Sequence, residues 1–367
     1  MEAKTWFNLS LFNTPRAGEY FEYLVQGIDP MWSLTDCKAK VVDVRQETQD
    51  TKTFVLRPNA RWNGFEAGQH LQITLPINGS LQTRTFTISS TPYEWKELGL
   101  ISLTVKRVPG GRLTGWMHDH LKEGTVVTLS QAKGDFVLPA EPERAIAYFA
   151  AGSGITPIAS QLGKLAACKM PVPATLFYFA RSEQDYIFGA ELKALAQAHK
   201  RFTLHTIAAD GGHANAHYSL PQGMISAEHV SAALQDKPEW VYVCGPHPFR
   251  ERVKELLAEQ GYPQHRIKEE AFGLPPMARV AGEKVTVTFS NSRTQATTDQ
   301  PGTLLDMAEE AGLKPTSGCR MGICYTCKCT KKSGQVRNVL TGELSSADAE
   351  DIRICVSAPV SNVEIAL

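Results

Sequence analysis

The chain has no surplus of charge in either direction: Lys and Arg total 38 of its 367 residues, and Asp and Glu also total 38. Overall charge therefore selects neither nucleic acid nor an anionic membrane as a partner. A basic stretch running into an apolar core is missing at the N-terminus, where Glu2, Lys4 and Arg16 stand among aromatics, so no secretory signal is expected. A bilayer-crossing helix is also not expected. The one long uncharged run, 145–163, is broken by Gly152, Gly154 and Pro157 and reads as strand, tight loop and helix. Repeats and low-complexity tracts are absent. Cys37, Cys168, Cys244 and Cys329 are scattered without a disulfide framework, which fits a reducing, cytoplasmic setting. No histidine follows His265 and only one C-x2-C pair exists, which argues against a zinc knuckle.

What is present is more specific. Cys319, Cys324 and Cys327 stand in C-x4-C-x2-C spacing, and Cys355 follows at a distance. That is the spacing of a plant-type [2Fe–2S] cluster: three thiolates wrap one side and a fourth arrives from another segment. Gly318 and Gly322 let the loop turn tightly and aim backbone N–H groups at the sulfides. Electron transfer is the chemistry implied. Cys329 makes an added C-x-C and is read as an uncoordinated neighbour rather than an alternative ligand. Cys37 and Cys168 are read as packing residues, and His118 and His120 as solvated side chains on different helix faces. Arg320, Lys328, Lys331, Lys332 and Arg337 cluster near this loop, either as a solvated surface or as a match for acidic groups on a partner.

The texture of the chain changes three times. An aromatic-rich extension, 1–37, comes first. From 38 to 140, short alternating segments at 38–44, 53–57, 70–75, 85–89, 101–107 and 126–129 suggest an antiparallel barrel, interrupted by a helix near 113–121. From 141 to 273, apolar strands (145–150, 175–180, 203–207, 240–244) alternate with helices (157–167, 189–198, 227–233, 248–260), which argues a parallel sheet covered on both faces. Leu274-Pro275-Pro276 opens a linker, 274–283. The segment 284–367 starts with a strand at 284–289, continues with a helix at 304–310 capped by Thr303 and Asp306, and closes with a strand at 363–367.

Four motifs carry the remaining chemistry. In Arg84-Thr85-Phe86-Thr87-Ile88-Ser89, a cation, an aromatic ring and hydroxyls share one strand, with Arg84 and Phe86 on one face and Thr87 and Ser89 on the other. A flavin needs such a set: a phosphate partner, a flat apolar surface and a hydrogen bond near N5. An ordinary barrel strand would also fit. Lys106 to Thr114 reads as strand, Gly110-Gly111 turn and helix start, either an anion site or a simple turn into a helix. Gly152-Ser153-Gly154-Ile155-Thr156-Pro157 follows an apolar strand and opens a helix, the position of a dinucleotide pyrophosphate, although Pro157 departs from G-x-G-x-x-G. Val243-Cys244-Gly245-Pro246 ends a later strand, where the ligand crevice of an open sheet lies; a lone cysteine there is by default a small buried hydrophobe.

Taken in this order, the four motifs resemble the ferredoxin–NADP reductase superfamily, specifically its flavin–nicotinamide–iron-sulfur fused branch, to which reductases of acyl-CoA desaturases, hybrid cluster protein and phenylacetyl-CoA epoxidase belong. The resemblance covers 38–367. It implies an antiparallel FAD-binding barrel, a parallel α/β NAD(P)-binding domain and a C-terminal β-grasp ferredoxin domain. By resemblance, Arg84 contacts the flavin phosphates, Phe86 flanks the ring, Thr87 faces N5, Ser89 belongs to the same flavin-binding run, and Gly111 and Thr114 hold the pyrophosphate. Gly152, Gly154, Thr156 and Pro157 would cradle the nicotinamide dinucleotide, and Cys244 and Gly245 would border its reactive ring. Glu270 and Phe272 match the family's Glu-x-Phe near the flavin.

The function implied is NAD(P)H → FAD → [2Fe–2S] → a terminal acceptor. Hydride transfer between stacked rings needs no general acid or base, which accounts for the lack of a triad-like set. Arg181, after the strand at 175–180, favours NADPH by its match to a 2′-phosphate, with NADH the alternative because Glu183 and Asp185 lie close. The extension, with Trp6, Phe7, Phe12, Tyr20, Phe21 and Tyr23, is similar to that of desaturase-linked reductases. The expected acceptor is accordingly a terminal oxygenase or desaturase, with a membrane-bound fatty-acyl desaturase or hydroxylase favoured and approached peripherally. A ring oxygenase, a hybrid cluster protein or a separate ferredoxin are the alternatives, and a non-catalytic redox sensor fits least.

Overall fold

The computed structural model describes residues 27–77, 80–210, 220–272, 284–299, 302–318, 320, 322 and 325–367. Strands β1 (Cys37–Thr48), β2 (Thr51–Pro58), β3 (His70–Ile77), β4 (Ser80–Thr87), β5 (Ile101–Lys106) and β6 (Val126–Leu129) form one antiparallel sheet, ordered β4-β3-β6-β1-β2-β5. Alternation drives it: Leu71, Ile73, Leu75 and Ile77 point into one core with Val41, Phe54 and Leu103. The sheet closes on itself where Ile88, just after β4, bridges Leu103 of β5 and Ser89 N–H donates to Ser102 O at 2.9 Å. Helix α1 (Pro92–Leu98) sits beyond this closure, started by a Thr91–Glu94 capping box. It buries none of its residues, so its sequence carries no apolar stripe and it was not expected. Helix α2 (Arg112–His120) follows β5.

The second sheet holds β7 (Ile146–Ala151), β8 (Ala174–Ala180), β9 (Phe202–Ala208), β10 (Trp240–Gly245) and β11 (Ile267–Ala271), all parallel, in the order β11-β10-β7-β8-β9. Every residue of β8 is buried, as a central parallel strand covered on both faces requires. Helices α3 (Ile155–Ala167) and α4 (Gly189–Ala198) pack on one face through Ile158, Leu162 and Leu192. Helices α5 (Ala227–Leu234) and α6 (His247–Glu259) cover the other through Val230, Val253 and Leu257. The charged edge strand β11 has no apolar alternation and escaped the sequence reading.

The third sheet runs β13 (Thr294–Thr298), β12 (Val285–Phe289), β18 (Val363–Ile365), β14 (Lys328–Ser333) and β16 (Glu350–Arg353), with β12 and β18 parallel. A short pair, β15 (Val336–Asn338) with β17 (Ser357–Pro359), and helix α7 (Leu304–Glu310) complete this β-grasp unit. The Thr303–Asp306 capping box is present.

Three expectations need correction. His118 is buried, not solvated, with Nε2 2.8 Å from Val105 O. Cys168 is exposed at the end of α3 rather than packed. Of the basic set beside the cysteine loop, Lys331 is fully buried against Glu350, not solvated, while Lys328, Lys332 and Arg337 are exposed as expected and Arg320 pairs with Glu309. The extension's aromatics before residue 27 lie outside the described residues. Its last part is tied to the barrel by Asn59 Nδ2 on Met31 O and Arg61 Nε on Ser33 O, while Trp32 stays exposed. No described helix is long and apolar enough to cross a membrane.

Candidate functional site

The barrel and the parallel sheet meet at the carboxyl ends of β7 and β10. In register across the sheet, Glu270 of β11 lies beside Cys244, Cys244 beside Ala150, and Ala150 beside Tyr178. Paired neighbours share a face, so the Glu270 carboxylate projects on the side where the barrel packs. There it meets His70 and Thr87, themselves paired across β3 and β4. His70 Nδ1 is 3.3 Å from Glu270 Oε1, and the Thr87 hydroxyl donates to Oε2 at 3.4 Å. Burial pushes the Glu270 carboxyl up, against the opposing influence of His70 and Thr87.

Around this point the sequence-selected residues divide. Phe86 is half-buried against the barrel core, opposite Leu71. Arg84 lies opposite Ile73 and donates from Nη1 to Thr83 O at 2.7 Å. Phe272, two residues beyond Glu270, is 43% exposed. Ser89 does not face outward: its hydroxyl is 2.8 Å from Thr104 Oγ1 and 3.1 Å from Ser102 O, in a buried chain continued by Thr53 and Glu47. Cys244 is fully buried, and burial raises its thiol pKa well above the usual range, so it borders the crevice as a neutral wall.

Two backbone cradles flank the crevice. Helix α2 starts at Gly111 without a side-chain cap, and a Cβ there would lie 2.7 Å from Thr114 Oγ1, whose oxygen accepts from Val108 N–H at 3.1 Å. The loop after β7 turns at Gly152, with φ at +54°, and helix α3 begins uncapped at Gly154. A Cβ on Gly154 would fall 2.2 Å from Cys244 O, so only glycine lets the two strand ends pass this closely. Gly245 is packed similarly against Ala151 and Phe249. Both turns suit the close approach of a phosphate. Thr156 and Pro157 are buried, and the Thr156 hydroxyl donates to Ser153 O at 3.0 Å, so these two shape the loop from within. The sequence reading missed Tyr178, whose hydroxyl donates to Gly152 O at 3.2 Å and accepts from Ile187 N–H at 3.0 Å, and it missed His70 and Asp50. Arg181 directly follows β8 and pairs with Asp50 of the barrel.

In the third unit, β14 begins just after Cys327 and β16 ends just before Ile354 and Cys355, and Lys328 pairs with Arg353. This antiparallel register joins two cysteines 28 positions apart in the sequence. The Cys355 thiol, hydrogen-bonded to Cys327, brings Cys327 down to about 6 although burial opposes it. Two converging thiols, one inclined to ionise, make half of the four-thiolate donor set that a [2Fe–2S] cluster requires. Cys319 and Cys324 lie outside the described residues. Gly322 has φ at +76°, and its carbonyl accepts from Arg353, which also stacks at 4.9 Å over Tyr325. Cys329 instead points its thiol toward Ala366 O at 3.4 Å, and burial raises its pKa.

Comparison with known proteins agrees with this geometry. Residues 38–138 match an oxidoreductase FAD-binding domain, 149–255 an oxidoreductase NAD-binding domain, and 287–360 a 2Fe-2S iron-sulfur cluster binding domain. An NADPH oxidoreductase of Mycobacterium tuberculosis is 30% identical over 90% of this chain and 84% of its own length. A glycine betaine monooxygenase reductase subunit of Pseudomonas aeruginosa is 31% identical over 89% and 94%. The solved structure of phthalate dioxygenase reductase superposes with a TM-score of 0.64 at 23% identity, over 91% of this chain and 98% of that one. The fold and its three cofactor modules define an electron-transfer oxidoreductase. The chain belongs to the ferredoxin–NADP reductase superfamily, in the branch that fuses flavin, nicotinamide and iron-sulfur domains. As an enzyme of this type it passes electrons from NAD(P)H through FAD to a [2Fe–2S] cluster.

Proposed function

We propose that the chain is the reductase component of a terminal oxygenase system, with NADPH the favoured donor and NADH the alternative. The observation that carries the reductase reading is Glu270 of the nucleotide domain meeting His70 and Thr87 of the barrel, at the carboxyl end of the parallel sheet. Ligands of open α/β sheets bind at such a point. The bound cofactors supply hydride acceptance and one-electron transfer; the residues supply position and charge. Arg84 and the Gly111–Thr114 turn hold the flavin phosphates, Phe86 flanks its ring, and Thr87 and Glu270 stand at its reacting edge. Phe272, half-exposed beside Glu270, covers that edge. Gly152 leaves open space for the dinucleotide at the turn, Gly154 and Gly245 let the strand ends close up beneath it, and Arg181 lies at its adenosine ribose. Cys319, Cys324, Cys327 and Cys355 ligate the cluster.

For the acceptor, the glycine betaine monooxygenase reductase subunit supports an oxygenase, since it aligns with 89% of this chain. The desaturase expectation, resting on an extension outside the described residues, draws no support from the relatives named above. Aerobic reconstitution with candidate oxygenases and desaturases, with and without residues 1–35, tests the assignment. Coupled substrate oxidation by an oxygenase is expected; turnover with desaturases alone overturns the acceptor. Absence of NAD(P)H-dependent ferricyanide reduction overturns the reductase itself.

A further inference from the structure

Arg181 stands at the carboxyl end of β8, where a doubly wound sheet receives the adenosine ribose of a dinucleotide. Its guanidinium is already claimed by two carboxylates. Nη2 lies 3.1 Å from Asp50 Oδ2 and 3.3 Å from Asp185 Oδ1. Asp185 is held in turn by the Ser182 hydroxyl at 2.9 Å. Asp50 comes from the other domain, in the β1–β2 turn of the barrel, 131 positions away. Its Oδ1 is fixed by Lys106 Nζ at 2.8 Å and by the hydroxyls of Thr48 and Thr51, each at 3.1 Å. Asp50 is therefore the anchored partner, while Arg181, with its side chain 71% exposed, is the one able to swing.

A ribose 2′-phosphate would seek the same N–H groups that Asp50 and Asp185 now occupy. It would also approach two fixed negative charges. A free 2′-hydroxyl needs no such exchange. We propose that Asp50 is a specificity-determining residue for the nicotinamide donor: it acts as a built-in competitor of the 2′-phosphate for Arg181 and narrows the preference for NADPH over NADH. The inference rests on the reading above that Arg181 lies at the adenosine ribose. It follows that binding of NADPH, and not of NADH, breaks an ion pair joining the barrel to the nucleotide domain. Exposed pairs of this kind are weak, so the competition is worth roughly three- to fivefold in affinity.

The test titrates the full-length, cofactor-loaded protein calorimetrically with 2′,5′-ADP and with 5′-AMP, for wild type, Asp50→Asn, Asp50→Ser and Arg181→Gln. Asp50→Ser keeps a hydroxyl for the turn if the amide disturbs it. Either Asp50 variant is expected to bind 2′,5′-ADP about three- to fivefold more tightly, with 5′-AMP affinity shifted less than twofold. The kcat/KM ratio of NADPH to NADH should rise by the same factor. Added salt should shrink the gain. Arg181→Gln should weaken 2′,5′-ADP alone. If Arg181→Gln weakens it but both Asp50 variants bind like wild type, Asp50 is no competitor and the proposal is overturned. If Arg181→Gln affects neither ligand, the ribose placement fails and the proposal falls with it.

Discussion

His70 Nδ1 lies 3.3 Å from Glu270 Oε1, so a histidine at the start of a barrel strand and a glutamate near the end of the nucleotide sheet share one contact across the domain boundary. Thr87, paired with His70 across β3 and β4, reaches the other carboxylate oxygen. The carboxylate is thus oriented from the barrel side, not from its own sheet. His70→Phe keeps an aromatic ring but leaves Thr87 as the sole barrel partner among the described residues. We expect flavin content to stay at wild-type level and the rate of flavin reduction by NADPH to fall by about ten- to a hundredfold, the upper end being the scale of a group misplaced by about 1 Å at a reacting centre. Stopped-flow reduction at several pH values checks this, and an unchanged rate would remove His70 from the site.

Glu270 also makes a prediction about pH. Burial raises its carboxyl pKa, with His70 and Thr87 opposing only in part. A proton held more tightly in the folded chain than in the unfolded one stabilises the fold below the ordinary carboxylate pKa, about 4.3, and that stabilisation is lost as pH rises through the raised value. Glu270→Gln has no such titration. The wild-type stability minus that of the variant should therefore decline from about pH 4 upward and then level off. Urea midpoints of both proteins across pH decide it. A difference that grows with pH would mean that the carboxylate is stabilised instead.

Much of this was legible in the chain. The alternation of Leu71, Ile73 and Leu75, the apolar run of β8 and the Thr303–Asp306 cap are local signals, and each element stands where it was expected. The glycine turns at Gly111 and Gly154 were legible because their chemistry is written in adjacent residues. His70 and Asp50 were not, since their partners lie 200 and 131 positions away and only packing of the two domains brings them together. The hydroxyl directions of Ser89 and Thr156 were hidden for the opposite reason. A hydroxyl in a motif looks available, yet both point into their own fold and bond there.

Gly154→Ala would place a methyl 2.2 Å from Cys244 O, a backbone atom that cannot swing away. The β7–α3 loop must shift instead. The overpacking cost is about 2 kcal/mol, and the lost approach should raise the KM for NADPH about tenfold while leaving flavin bound by the barrel. Calorimetric binding of NADP⁺ together with flavin absorbance measures both. Unaltered NADP⁺ affinity would show that the loop does not contact the dinucleotide.

Lys331 is fully buried, with Nζ donating to Ser346 O at 3.0 Å and Asp348 O at 2.6 Å and lying 3.4 Å from Glu350. It fastens the segment that leads into β16 and Cys355. Lys331→Met keeps the stem and drops the three contacts. Water can reach the released carbonyls, so the loss of stability should be only about 1–2 kcal/mol. The sharper effect falls on the metal centre, where a looser approach to Cys355 should speed loss of the visible iron–sulfur absorption in a chelator several-fold. An unchanged half-life would confine Lys331 to packing.

The cysteine assignments can be separated one by one. Register between β14 and β16 places Cys327 beside Cys355, and that pairing favours the thiolate of Cys327. Cys329, two residues on, turns its thiol to Ala366 O and is kept protonated by burial. Cys327→Ser and Cys355→Ser should each abolish the visible absorption and the EPR signal of the reduced [2Fe–2S] centre, because a serine oxygen is a harder ligand than a thiolate. The same is expected at Cys319 and Cys324 from spacing. Cys329→Ser should keep both signals. In all four ligand variants flavin content and ferricyanide reduction should persist, since the flavin barrel has its own core and accepts hydride upstream of the cluster, whereas cytochrome c reduction should fall at least tenfold. A normal cluster in Cys355→Ser would show that another residue supplies the fourth ligand, and loss of the cluster in Cys329→Ser would point to that residue.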